Sequence, residues 1–210
     1  MKRKSEEKRV AILKAAFAAV AEHGYFETTI DDIARRAHVA KGTVYLYFKD
    51  KPDIYIGLVE WVLAQAEEII HTIAGRPISP QRKLAQVFTT WSDTIIARPA
   101  VLSLLAHENV SLTSPVMRRF KRIIVPRLQA LVADIADIIR AGSACGQFRK
   151  VDPMAAAQLF FAAFRSAIIG ASRGGQLPEL SRTMQELFFR GLLADSGRGP
   201  SPKKTRSIDE

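Results

Sequence analysis

The stretch Thr29-Ile30-Asp31-Asp32-Ile33-Ala34-Arg35-Arg36-Ala37-His38-Val39-Ala40-Lys41-Gly42-Thr43-Val44-Tyr45-Leu46-Tyr47-Phe48-Lys49-Asp50-Lys51 decides how this 210-residue chain is read. It predicts two short helices joined by a tight turn. Ile30, Ile33, Ala34 and Ala37 recur at three- and four-residue steps and form one apolar face. Val39, Val44 and Phe48 form the facing one. Ala34 is small where two helices must cross closely. Thr29, with Asp32 three residues on, resembles a capping box in which Asp replaces the usual Glu, and it opens the first helix. The second helix directs Lys41, Thr43, Tyr45 and Tyr47 outward, a set of donors and aromatic rings suited to phosphates and base edges in a major groove.

Working outward, nearly every segment reads as helix. Upstream, Val10, Leu13, Phe17, Val20 and Ala21 make a helical stripe, capped by Ser5 and ended by Gly24. Downstream, Asp50 caps a helix that tolerates Pro52 in its first turn and closes at Gly75 after about Ala74. Ser79-Pro80, Ser114-Pro115 and Asp152-Pro153 share one grammar, an N-cap followed by proline at the first helical position. Arg98-Pro99 marks another boundary, and Gly142, Gly146, Gly170, Gly174 and Gly175 punctuate helix ends. Pro126 interrupts the periodic run Phe120, Ile124, Leu128, Leu131, Ile135, so a kink or break is expected there. No alternating run is long enough for a strand. The expectation is an all-α chain of about nine helices, with a disordered tail over 196–210 rich in Gly, Pro, Ser and Lys.

Composition narrows the function classes. Half the residues are apolar, enough for a real core. A single cysteine, Cys145, excludes an intrachain disulfide framework and suits a reducing cytoplasm. No secretory pattern is visible at the N-terminus, and the most apolar stretch, 154–172, carries Gln158 and Arg165, which reads as a buried or interfacial helix and not a membrane span. The net charge is +10. Residues 1–60 hold 11 Lys/Arg against 9 Asp/Glu, whereas 76–150 hold 12 against 4. The excess therefore lies outside the two-helix segment, and the motif rather than the isoelectric point must carry any nucleic-acid reading. Four scattered histidines (23, 38, 71 and 107), the lone cysteine and the lack of a nucleophile elbow or phosphate-cradling glycine loop point away from an enzyme, with no catalytic residue, metal or cofactor expected.

In register, Thr29, Ile33, Ala34, Ala37, Val39, Gly42, Val44, Tyr45, Tyr47, Phe48 and Lys51 fill the pattern Thr-x3-Ile-Ala-x2-Ala-x-Val-x2-Gly-x-(aliphatic)-Tyr-x-Tyr-Phe-x2-Lys. In this the chain resembles the tetracycline-repressor (TetR) family, and the run Gly146-x-Phe148-x3-Asp152-Pro153 agrees with it. The resemblance implies a helix-turn-helix domain over 1–50, an effector-binding and dimerisation domain over 51–195, and a cytoplasmic bacterial protein that associates with the nucleoid when bound to DNA. It implies a homodimeric repressor that binds a palindromic operator in double-stranded DNA and is released by a small molecule of unknown identity. By position, Thr29 and Lys51 resemble phosphate contacts, while Lys41 and Thr43 resemble base-reading or phosphate positions. Tyr45 and Tyr47 resemble backbone and sugar contacts, and Ala40 stands at the start of the recognition helix. Two departures stand out. His38 occupies a turn position that is usually Gly, so a positive φ and strain of about 1 kcal/mol are expected there. Ala40 replaces a Ser or Thr cap, at a cost of about 1 kcal/mol.

Beyond the motif, Trp61, Phe88, Trp91, His107, Glu108 and Phe120 are candidate ligand-pocket residues, each with an alternative as core, cap or solvated group. Leu159, Phe160, Ala163, Phe164, Ala167 and Ile168 stripe one late helix, and Leu180, Met184, Leu187, Phe188 and Leu192 stripe the last. Phe160, Phe164, Ile168, Met184, Leu187 and Phe188 are the candidate dimer contacts, with internal core as the alternative. The basic run Arg118, Arg119, Lys121, Arg122, Arg127 is either a solvated face or an attractor for an acidic ligand. A DNA-binding protein without a small-molecule effector is the rival to the regulated one.

Overall fold

The computed structural model describes residues 2–96, 115–172 and 176–193. Those residues form eight helices: α1 (Lys2–Glu27), α2 (Ile30–Arg36), α3 (Lys41–Tyr47), α4 (Lys51–Ala74), α5 (Pro80–Ile96), α6 (Pro115–Ala144), α7 (Pro153–Ser172) and α8 (Leu177–Leu192). Among the described residues the only β-type pairing is one bridge, Phe148 with Leu193. The chain is all-α, as expected. His107, Glu108, the Ser114 cap and the 196–210 tail lie outside the described residues.

Local chemistry accounts for the boundaries. α1 breaks at Gly24, whose φ of 77° and ψ of 165° few other residues adopt. The Thr28 hydroxyl donates to the Gly24 carbonyl at 2.7 Å and secures the bend. At α2 the capping box is complete: the Asp32 amide donates to Thr29 Oγ1 at 3.1 Å, and the Thr29 amide donates to the Asp32 carboxylate at 3.2 Å. Hydrogen bonds from the Thr29 hydroxyl and then the Thr29 amide hold the Asp32 carboxyl below its usual pKa. Asp50 caps α4 by accepting from the Asp53 amide at 2.7 Å. Ser79 and Asp152 accept from the amides of Arg82 and Met154.

The α2–α3 turn needs a left-handed residue. His38 supplies it at φ 54°, and Val39 returns its amide to the Ala34 carbonyl at 3.0 Å. Ala40 makes no side-chain cap. Because a β-carbon is disfavoured at positive φ, His38→Gly is expected to stabilise the protein by about 1 kcal/mol. In a chain of this size that raises Tm by about 2–4 °C, which calorimetry would measure. A lower Tm would mean that the imidazole contributes more than its backbone costs.

Pro126 does not break its helix. α6 runs through it without a break. Proline removes one amide from the ladder, and the affected positions, Arg122 and Pro126, are both exposed, so the freed carbonyl is open to solvent.

Two apolar cores organise the packing. The first joins Ile12, Leu13, Ala16 and Val20 of α1 to Ile33, Ala34, Val44, Phe48, Ile54 and Leu58. The second joins Ile56, Val59 and Leu63 to Phe88, Trp91, Ile135, Phe148 and Phe160. Alternate faces of the first turns of α4 thus enter different cores. α4 is a shared beam: displacing it moves both units. α7 is long and apolar enough to cross a membrane by length and composition, but its buried face packs between α6 and α8.

Candidate nucleic-acid interface

α3 stands at the edge of the first core, held by Val44 and by Phe48 just beyond its end, both buried. At 100° per residue, positions 41, 42, 45 and 46 occupy one arc of the helix. They are the exposed ones: Lys41, Gly42, Tyr45 at 48 % and Leu46 at 82 %. Thr43 and Tyr47 are half-buried on the other side, and Tyr47 packs against the first core. The expected outward set of 41, 43, 45 and 47 followed a two-residue alternation, which is the period of a strand. The helix period replaces Thr43 and Tyr47 with Gly42 and Leu46 on the open face. A β-carbon on Gly42 would meet nothing within 4 Å, so the fold itself imposes no steric need for glycine there.

The cations of the motif are already engaged. Lys41 Nζ donates to Asp31 Oδ2 at 2.8 Å, and this bond raises the ammonium pKa. Lys51 Nζ donates to the Phe26 carbonyl at 2.8 Å and sits 4.7 Å above the Tyr25 ring. Partial burial lowers its pKa, with Glu27 opposing. Lys51 is therefore also a clip between the start of α4 and the lead-in to α2. Thr29 is exposed, but its hydroxyl donates to Asp32 at 2.6 Å. Arg36 pairs with Glu22 and ties α2 to α1.

Among the described residues, the ligand-pocket candidates Trp61, Phe88, Trp91 and Phe120 do not line one cavity. Trp61 lies edge-on to Phe17, ring centroids 5.6 Å apart, beside the first core. Phe88 and Trp91 are buried in the second core, and the Trp91 indole donates to the Ala66 carbonyl at 3.3 Å. Phe120 stacks on Tyr55 at 6.2 Å, at the junction between the cores. A groove of about 440 Å³ between α6 and α7, lined by Val132, Gln158, Phe161 and Arg165, contains none of them.

Three dimer candidates are corrected. Phe160, Phe164 and Ile168 are buried within the protomer, in ring-to-ring packing with Phe88 and Trp91 for the two phenylalanines. An apolar stripe wide enough to cover two faces does not say which one points inward. Met184 and Phe188 are half-buried, and Leu187 is exposed at 62 %. The apolar surface left open on α7 and α8 is instead Leu159, at 66 %, with Met154 and Leu187.

The basic run divides. Arg127 clamps α4 by donating to both Glu67 oxygens, at 2.8 and 2.6 Å, and to the Glu60 carbonyl at 3.1 Å. Hydrogen bonding to Glu67 raises its pKa further. Arg119 donates to Asp53 Oδ1 at 2.5 Å. Lys121 and Arg122 are exposed. Neither Asp53 nor Leu46 stands out in the sequence, since each takes its meaning from a neighbour or a facing direction.

Residues 12–58, which match the first core almost limit for limit, fit the family model for bacterial regulatory proteins of the tetR family. The fatty acid metabolism regulator protein of Bacillus subtilis is 38 % identical over 82 residues, spanning 39 % of this chain and 42 % of that one. The HTH-type transcriptional regulator BetI of Burkholderia thailandensis is 27 % identical over 191 residues, 90 % of this chain and 84 % of its own. The crystal structure of FadR from Bacillus subtilis in complex with stearoyl-CoA superposes with a TM-score of 0.72 at 26 % identity, covering 87 % of this chain and 98 % of that one. Motif, helix order and superposition agree: residues 12–58 carry the segment described for bacterial regulatory proteins of the tetR family, and over most of its length the chain is similar to transcriptional regulators.

Proposed function

We propose that the protein is a homodimeric, cytoplasmic repressor that inserts α3 into the major groove of a palindromic operator and is released by a small amphipathic ligand. The observation that carries the reading is the open face of α3. Lys41, Gly42, Tyr45 and Leu46 face solvent while the opposite side of the same helix builds the first core. Such a face combines a phosphate-seeking cation, close backbone approach and apolar groups that fit thymine methyls. The exposed Leu159 and Leu187 supply a face for a second copy, which would set two α3 helices about one DNA turn apart. The 1–50 and 51–195 division is retained as a functional one, with α4 shared between the two cores. The ligand class follows from the FadR likeness: a long apolar chain with an anionic head, as in stearoyl-CoA.

Fluorescence anisotropy against DNA from upstream of the protein's own gene tests this reading. Binding is expected to weaken with salt and to be reversed by stearoyl-CoA. Lys41→Ala and Tyr45→Ala are expected to lose about 1–3 kcal/mol of discrimination between operator and scrambled DNA. Equal affinity of the native protein for both DNAs would reject operator recognition at that sequence. Unaltered binding in stearoyl-CoA would reject the ligand class alone.

A further inference from the structure

We propose that Arg119 is a positioning residue for α3, acting from α6 through Asp53. This rests on the reading of α3 as the DNA-contacting helix and names a control on it. Asp53 uses its two carboxylate oxygens for different neighbours. Oδ2 accepts the Lys49 amide at 2.8 Å, and Oδ1 accepts Arg119 Nη2 at 2.5 Å. Lys49 follows Phe48, which ends α3 and is buried in the first core. The carboxylate that pins the exit of α3 is therefore oriented by a cation on a helix of the second core. Most of the Asp53 side chain is shielded from water, so its charge needs that partner more than a surface carboxylate would.

The adjacent residue reinforces the arrangement from another side. Phe120 stacks on Tyr55, Tyr55 meets Tyr25 edge-on at 5.1 Å, and Lys51 lies over Tyr25 while donating to the Phe26 carbonyl. Two successive residues of α6 thus reach both flanks of the two-helix motif: the exit of α3 and the lead-in to α2. A shift of the first turns of α6 cannot keep both contacts unless the motif moves with it. Arg127, two turns further along, grips α4 itself and keeps α4 and α6 in step.

A direct phosphate contact and a positioning contact leave different signatures. Losing a phosphate contact lowers the slope of log affinity against log salt by about one, whereas losing a positioning contact lowers affinity at constant slope. Arg119→Gln, Asp53→Asn and the double variant are measured in the full-length protein. The readouts are DNA-free hydrogen exchange at the Lys49 amide and anisotropy with the upstream DNA across a salt series. The expected result for Arg119→Gln is Lys49 exchange about tenfold faster and affinity about tenfold weaker, the scale of a typical coupling, with the slope unchanged. Arg119→Lys should recover most of both, and the double variant should be no worse than Arg119→Gln alone. Unchanged Lys49 exchange in folded Arg119→Gln overturns the proposal, as does a slope reduced by one. If the native protein does not bind the DNA yet Lys49 exchange rises, the positioning contact stands and the operator reading fails.

Discussion

Phe160→Ala is expected to destabilise the folded protein by about 3–5 kcal/mol, the range for emptying a buried aromatic site. The ring is fully buried and meets Phe88 at 5.3 Å, Trp91 at 6.3 Å and Phe188 at 5.3 Å. Its removal strips three aromatic partners of edge-to-face contact and leaves a cavity that three different helices must close. Urea titration should show a lower midpoint at every protein concentration, because the contacts lie within one protomer. Leu159→Glu, one residue earlier but on the open face, should behave oppositely. Its effect on a dimer would grow on dilution, and the protomer core would stay intact. Equal, concentration-dependent losses in both variants would mean that Phe160 is an interface residue after all.

Gly142→Ala is expected to cost about 3 kcal/mol or more, at the upper end for overpacking. A β-carbon there would lie 2.1, 2.3 and 2.9 Å from three carbons of the Phe148 ring. The ring cannot swing aside cheaply. Phe148 is fully buried, its amide donates to the Gly142 carbonyl at 3.0 Å, and the next amide, Arg149, donates to Leu192 on α8 at 3.1 Å. Thermal unfolding should show the loss, and Phe148→Leu added to Gly142→Ala should restore part of it, since the two sites share one volume. A Tm within a degree of the native value would show that the α6–α7 turn shifts more freely than its hydrogen bonds suggest. Gly142 also illustrates a misread cause. It resembles a helix terminator in the sequence, but α6 continues past it to Ala144, and the positive φ falls on Gly146. Gly142 is small because a phenylalanine from the following turn lies on it.

Local order was legible because its causes are local. The capping box at Thr29 and Asp32, the left-handed His38, the Gly24 break and the Asp50 cap each depend on residues within a few positions of one another, and each is found where the sequence places it. The two-helix motif was legible for the same reason. Its apolar residues are spaced by the helix period and close on one another across a single turn. Facing direction was less legible. On α3 the helix period exposes Leu46, whose side-chain chemistry does not single it out, and turns Thr43 and Tyr47 partly inward. On α7, the apolar stripe was wider than one face, so periodicity alone left Phe160 and Leu159 equivalent.

An all-α chain with a tetR-type two-helix motif can be read from neighbouring residues alone, since hydrogen bonds and side-chain sterics within a few positions settle those features. Which apolar residues are core, what the basic run holds, and the service of α4 to two cores at once are settled by long-range packing. Those outcomes depend on partners 60 to 100 positions away, as with Arg119 and Asp53 or Ser92 and the buried Ser181. No spacing rule along one helix selects a partner on another; shape and charge do so once the helices have packed.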